Sequence, residues 1–182
     1  MVCNIKIFYT LIDINDKTSL INLFKTHNLN VVYHTAAYKH VPIVEENIIE
    51  SIKNNFFSTL SLVKFSIDFK IDHFVYISTD KAVRPTNIMG ATKRMSEIFI
   101  QNISKNISSE SNCKLCIVRF GNVIGSSGSA INLFSKQIKE GGPVTITHPD
   151  ITRYFMTRKE AALLIFECCN FAKQGDIFLL DM

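Results

Sequence analysis

Glycine is missing from the first 89 residues of this chain: there are 7 in 182 residues, and the first is Gly90. That absence excludes a G-x-G-x-x-G turn ahead of Asp13, where an open nucleotide-binding sheet would carry its phosphate-gripping strand, turn and helix. Long apolar runs are also missing. No window approaches the roughly 20 apolar residues of a membrane-spanning helix, and no signal peptide opens the sequence. The 5 cysteines have no regular spacing, which argues against a disulfide framework and for a reducing, cytoplasmic setting. Cys113 and Cys116 form a lone C-x-x-C without a second ligand pair, so buried thiols are expected there and no metal. Cys168 and Cys169 read as core filler in a helical run. Basic clusters are scarce too: the formal charge is +4 and the lysines are scattered, which argues against nucleic acid as a partner.

What is present is the composition of a globular domain, 47% apolar and 20% charged, long enough to bury one core. Apolar β-rich runs alternate with helical ones. Strands are expected over Asn4–Tyr9, Asn30–His34, His73–Ser78, Lys114–Phe120, Val144–Thr147 and Ile177–Leu180. Helices are expected over Lys17–His27, Glu45–Phe69, Met89–Ile103, Ala130–Glu140 and Arg158–Phe171. Within Glu45–Phe69, Ile48, Ile52, Phe56, Leu60 and Val63 recur close to the helical period. This alternation implies an α/β fold, a doubly wound parallel sheet with helices on both faces. With no glycine turn near its start and a last strand that stops at Met182, 1–182 is expected to be a single incomplete domain with open sheet edges.

The most informative stretch is YISTDKAVRPTNIMGATKR, Tyr76 to Arg94. Ser78, Thr79, Asp80 and Lys81 leave the carboxyl end of a buried strand, where ligands bind in open α/β sheets. Further on, Met89 opens a helix and Lys93 lies one turn later on the same face. A hydroxyl-bearing strand end facing x-x-x-Lys is the layout with which dehydrogenase-type sugar enzymes bind and polarise a sugar oxygen while the ring carbon meets a nicotinamide. The bland alternative is a capped strand end beside a solvated lysine.

Four stretches carry a family resemblance: Tyr33–Ser58, Ser78–Arg94, RFGNVIGSSGSAINLF at Arg119–Phe134 and GGPVTITHPDITRYFMT at Gly141–Thr157. Together they resemble the CapD-like polysaccharide biosynthesis family, nucleotide-sugar 4,6-dehydratases and epimerases of the extended short-chain dehydrogenase superfamily, with its Rossmann-like fold. The resemblance runs from about Asp13 to Met182. It implies an enzyme that takes hydride from C4 of UDP-N-acetylglucosamine, eliminates water across C5 and C6, and returns hydride to C6. Asp80 then matches the acid for the leaving hydroxyl, Lys81 the base for the C5 proton, and Thr79 a hydroxyl that bonds the sugar. Lys93 matches the lysine that holds the nicotinamide ribose. Its usual tyrosine partner is Met89 here, as in the CapD-like branch, which leaves the base for the C4 hydroxyl unassigned.

Further positions follow from the same resemblance. Asp13 and Ile14 match a pair that contacts adenine, although Asp13 reads equally well as a turn residue. His34–Ala37 matches a small-residue strand end, so Ala36 and Ala37, with Ser78 and Asn55, are expected cofactor contacts. Asn55 orders the active-site backbone, and Ser58 replaces a glycine usual at that position. Lys39 and His40 border the sugar, or else form a plain loop. Asn122 and Arg153 match residues that hold the sugar nucleotide, while Gly121, Gly125 and Gly128 let backbone approach phosphate. Arg119 is an ion-pair or cofactor-edge residue.

The implied cofactor is NAD(P), of undetermined type, its binding in question without the glycine-rich loop. The implied partner is a UDP-sugar, with self-association as a family tendency. Family members are commonly longer, with an amino-terminal membrane segment that this sequence does not show. Three readings stand: a 4,6-dehydratase, which the Asp80–Lys81 pair favours; a 4-epimerase, which needs no C5 base; and an inactive fragment or binding remnant.

Overall fold

The computed structural model describes residues 5–107, 111–126, 130–146, 148–150 and 152–180. At its centre is a four-stranded parallel sheet in the order β1 (Val31–His34), β2 (His73–Thr79), β3 (Lys114–Phe120), β6 (Ile177–Leu179). Along β2 successive side chains point to opposite faces, and both faces are buried. Phe74 and Tyr76 join Leu20 and Phe24 of helix α1 (Lys17–Thr26), Leu62 and Val63 of α4 (Ser58–Asp68) and Ile100 of α5 (Ile88–Asn106) in one cluster. Val75 and Ile77 join Cys116, Val118, and Ala161, Cys168 and Cys169 of α7 (Arg158–Phe171) in the other. A sheet covered on both sides needs such unbroken apolar strands. The sequence expectation of a doubly wound α/β fold is met.

The cysteines are part of this packing. Cys113, Cys116, Cys168 and Cys169 are free and buried. Burial pushes the Cys113 thiol up to about 11 and the Cys116 thiol to about 12, so neither is a thiolate at neutral pH. Among the described residues no cluster of metal-ligating side chains occurs, and no helix is long and apolar enough to cross a membrane.

Three expectations fail. Residues 5–9 form no strand, and among the described residues β1 is an edge strand with β2 as its only ladder partner. Ile5, Ile7 and Tyr9 are exposed instead. Residues 144–146 form no strand either, and Thr147 lies outside the described residues. The Gln137 side chain takes the place of a ladder there, accepting from the Thr145 amide at 3.1 Å and donating to its hydroxyl at 2.7 Å. The strand pair of this region is β4 (Asn122–Val123) beside β5 (Phe155–Met156), also parallel; α6 (Ala130–Lys139) lies between them in the chain.

The third failure is the single long helix over Glu45–Phe69. The chain makes α2 (Val41–Glu46), α3 (Ile48–Ile52), a π-helical turn at Lys53–Phe57, then α4. The apolar face read from the sequence is only partly the buried one: Val63 is buried, while Ile52, Phe56 and Leu60 are half-buried. Ile48 is exposed, whereas Ser51, Asn55, Ser58, Thr59 and Ser66 are buried. Small side chains let helices approach closely. The cost of burying their hydroxyls is met by the helix itself: Thr59 donates to the Asn55 carbonyl, Ser66 to Leu62 and Ser58 to Asn54. Small Ser58 thus stands where close packing requires it.

His34, at the end of β1, is buried against Phe74 and Tyr76 and pairs with the Thr59 hydroxyl at 2.9 Å. Burial, then the Lys93 charge, lowers its pKa from 6.5 to about 3. Its neutral form is the folded form, so this contribution to stability is complete above about pH 6.5 and is lost as pH falls toward 3. Denaturant midpoints of the wild type should therefore drop more steeply over that window than those of His34→Gln. Parallel pH profiles for the two would refute the assignment.

Candidate active site

The carboxyl ends of β1, β2 and β3 open into a cleft of about 480 Å³, within the roughly 300–1,000 Å³ of small-ligand sites. Each wall is shaped by local chemistry. Beyond Thr79 the chain turns through Asp80–Ala82 in a single 3₁₀ turn, with the Thr79 hydroxyl accepting from the Lys81 amide at 3.4 Å. Asn87 then caps α5, its side chain accepting from the Gly90 amide at 2.8 Å. Glu45 anchors the same helix start by accepting from the Ile88 amide at 2.6 Å. Gly90 lies against the turn: a Cβ there would sit 2.5 Å from the Lys81 carbonyl oxygen. The helix start and the Asp80–Lys81 turn are therefore held in direct backbone contact.

Of the residues singled out from the sequence, Ala37, Lys39, His40, Ser78, Thr79, Lys81, Met89, Lys93, Asn122 and Arg153 all line this cleft. Gly121 does as well. The β4–β5 pairing sets Asn122 opposite Phe155, two positions from Arg153. Asp80 stands just outside. It accepts from the Thr79 hydroxyl at 2.7 Å, the Lys81 amide at 2.9 Å and the Lys81 ammonium at 2.9 Å. Burial favours its neutral form, but these bonds and the Lys81 charge outweigh burial and hold its carboxyl below the usual range.

Lys93 is almost wholly buried. Its Nζ donates to the Ile77 carbonyl at 2.8 Å and lies 4.6 Å from the centre of the Tyr76 ring. Burial lowers its pKa to about 8, against the opposing pull of Glu97. Met89 is buried one turn earlier and offers the cleft no proton.

Asn55 acts from behind. On the π-helical turn it accepts from the Tyr38 amide at 2.7 Å, and its Nδ2 donates to the Tyr38 carbonyl at 3.0 Å and to the Thr92 hydroxyl at 3.2 Å. The loop that carries Lys39 and His40 is thereby tied to α5. Asn55→Ala would leave four polar groups without that partner, the Asn54 side-chain amide among them, at about 1–3 kcal/mol each where buried. We expect a loss of roughly 3 kcal/mol in denaturant unfolding, with Asn55→Asp intermediate because it keeps the acceptor. An unchanged midpoint would refute the clamp.

Other sequence candidates lie elsewhere. Ala36 is exposed and does not line the cleft. Asp13 accepts from the Asn15 amide at 2.8 Å in a turn, and it borders a separate hollow of about 430 Å³ with Tyr38, Lys53 and Asn54. Ile14 is partly buried against the core cluster that Leu20, Phe24, Leu62 and Val63 share. Gly125 makes a turn with φ +71° and its carbonyl accepts from Arg158; Gly128 lies outside the described residues.

Arg119 resolves to an ion pair. Its guanidinium grips Glu97 with two bonds, 2.8 and 2.6 Å. Glu97 was not singled out from the sequence, although it follows Lys93 by one helical turn and so had to share its buried face. The aromatic wall of Phe120 and Phe155 also went unread.

The polysaccharide biosynthesis protein family matches residues 2–182. The chain is 48% identical over 177 residues to the probable polysaccharide biosynthesis protein EpsC of Bacillus subtilis, covering 97% of this chain and 29% of that protein. It is 39% identical over 154 residues to the UDP-glucose 4-epimerase of Rickettsia rickettsii, covering 84% and 45%. The X-ray structure of Pen from Bacillus thuringiensis superposes with a TM-score of 0.89 at 37% identity, covering 98% and 54%. This chain thus spans less than two thirds of each. More distant structures of the same Rossmann-like fold, two of them at 18% identity, hold NAD.

Proposed function

Because the chain belongs to the polysaccharide biosynthesis protein family, of nucleotide-sugar dehydratase and epimerase type, we propose that it carries the reaction centre of a UDP-N-acetylglucosamine 4,6-dehydratase. The observation that carries this reading is the Thr79–Asp80–Lys81 constellation at the mouth of the cleft, opposite Met89 and Lys93. Asn122, Arg153, Lys39 and His40 would hold the sugar nucleotide, with Arg153 suited to the diphosphate. If NAD(P) were held here, it would supply the hydride acceptor for C4 and the hydride donor for C6. Lys93 and Ser78 fit its nicotinamide-ribose end, because the Lys93 ammonium has three donors and only one is spent on Ile77. Asp13 and Ile14 would lie toward the adenine.

The geometry suggests a base where tyrosine is absent. The Thr79 hydroxyl donates to Asp80 and accepts once from the Lys81 amide, so its second lone pair can accept the proton of the C4 hydroxyl. That proton passes through Thr79 to the Asp80 carboxylate, which is ionised at rest. Protonated Asp80 is then the acid that donates to the departing C6 hydroxyl, releasing water. Lys81 serves as the base in its neutral amine form, its ammonium proton having passed to solvent. The neutral amine takes the C5 proton, and the resulting ammonium, its protons exchanging with solvent, delivers one back to C5 once C6 is reduced. Atoms balance: one water leaves, formed from the C6 hydroxyl and the C4 hydroxyl proton.

The second reading is 4-epimerisation, favoured by the 39% identity to the Rickettsia enzyme. Incubation with UDP-N-acetylglucosamine and NAD, followed by mass spectrometry, separates the two. A product lighter by one water supports dehydration, and a new isomer of unchanged mass supports epimerisation. Absence of both, with the sugar nucleotide bound, would overturn the enzymatic reading.

A further inference from the structure

Beneath the cleft floor a single buried carboxylate accepts four hydrogen bonds. Glu97 Oε1 accepts from the Ser78 hydroxyl at 2.7 Å and from Arg119 Nε at 2.8 Å. Its Oε2 accepts from Arg119 Nη2 at 2.6 Å and Arg94 Nη1 at 3.0 Å. The Glu97 side chain is 0% exposed, and a carboxylate has about four acceptor sites, so none is left for a ligand. The bonds join three elements. Ser78 and Arg119 are register partners on β2 and β3, and Glu97 belongs to α5. Ser78 immediately precedes Thr79, and Arg119 leads through Phe120 and Gly121 to Asn122.

A buried ion network is not needed to hold such a fold together: apolar side chains of similar volume often serve as well or better. Its placement, below the strand ends and one helical turn from Lys93, is what calls for explanation. We infer that Glu97 is a positioning residue: it sets Ser78–Thr79 on β2 and Lys93 on α5 relative to one another without touching substrate. This rests on the dehydratase or epimerase reading of the same cleft.

The groups around Lys93 give the inference an electrostatic signature. Glu97 faces it from its own helix, His34 from β1, and Tyr76 and the Ile77 carbonyl from β2. Arg94 on α5 and Arg119 on β3 reach it only through Glu97; the Asp80–Lys81 ion pair lies beyond the strand end. Burial holds the Lys93 pKa down and Glu97 pulls it back up. With Glu97 neutralised, two guanidinium groups lose their counter-charge and Lys93 should release its proton at lower pH.

The test is Glu97→Gln in the full chain, with Arg119→Lys as a gentler companion that keeps the cation but loses the two-pronged grip. In Glu97→Gln we expect kcat to fall by at least roughly tenfold with KM for the sugar nucleotide little changed. The alkaline limb of the pH–kcat profile should move to lower pH. Arg119→Lys should show a smaller fall of the same kind. The second readout needs no turnover: the ¹⁵N signal of the Lys93 ammonium, assigned with Lys93→Met, should titrate at lower pH in Glu97→Gln. Wild-type kcat in a folded variant, or an unmoved Lys93 titration, would overturn the inference. If Glu97→Gln does not fold, Arg119→Lys decides by kcat alone, a wild-type kcat overturning the inference. Should the wild type turn over no sugar nucleotide, the functional reading fails, and the Lys93 titration still judges Glu97.

Discussion

Lys81→Ala is expected to lower turnover by about three orders of magnitude, within the range for losing a positioned acid or base, while sugar-nucleotide binding stays nearly unchanged. Lys81 is the cleft-lining cation paired with Asp80 at 2.9 Å, and no other basic group sits on that turn. Removing it should stop proton exchange at C5 without preventing oxidation at C4. In deuterated solvent the wild-type product should carry deuterium at C5. The variant should show reduced cofactor in a single turnover and no deuterium in recovered substrate. If Lys81→Ala keeps wild-type turnover, Lys81 is not the C5 base and epimerisation becomes the better reading.

The second large effect is expected from a single methyl group. Gly90→Ala would drive a Cβ to 2.5 Å from the Lys81 carbonyl oxygen and 3.3 Å from Pro85 Cβ. Alanine improves helix propensity by up to about 1 kcal/mol, but a backbone oxygen has no rotamer with which to move aside. Overpacking of this kind costs about 1–3 kcal/mol. It also shifts the turn that carries Asp80 and Lys81. We expect a lower melting temperature and a kcat reduced by roughly a hundredfold, since an ångström of misplacement can cost that much. A variant with unaltered melting and kcat would show that the helix start can slide without consequence.

The strand ends and the Thr79-to-Lys93 constellation were legible because their information is local. A buried strand closed by hydroxyls and an acid–base pair, then a helix with lysine one turn in, reads the same before and after folding. The helix over Glu45–Phe69 misled for the opposite reason. Its buried face is defined by approach to α5, so serine, threonine and asparagine sit inside where composition argued for isoleucine and phenylalanine. Residues 5–9 have strand-like composition, but a strand exists only with a neighbour. Asp80 was read as an acid, and its bonding shows why it rests as the anion. Glu97 escaped notice because a single glutamate on a helix ordinarily faces water. Arg94 lies within helical reach on the same helix, but Arg119 comes from β3, and no spacing rule joins it to Glu97.

One consequence of the π-helical turn concerns length. Each residue advances a helix by about 100°, so the surplus residue in Lys53–Phe57 sets the rotational phase of everything after it. Asn55 meets Tyr38 and Thr92 from within that turn, and Ser58 and Thr59 are buried just beyond it. Excising one residue would leave the composition almost untouched yet swing the small-residue face about a quarter of a revolution away from α5. The segment therefore stores a count as well as an alphabet. A frame-preserving deletion here should do more harm than most substitutions.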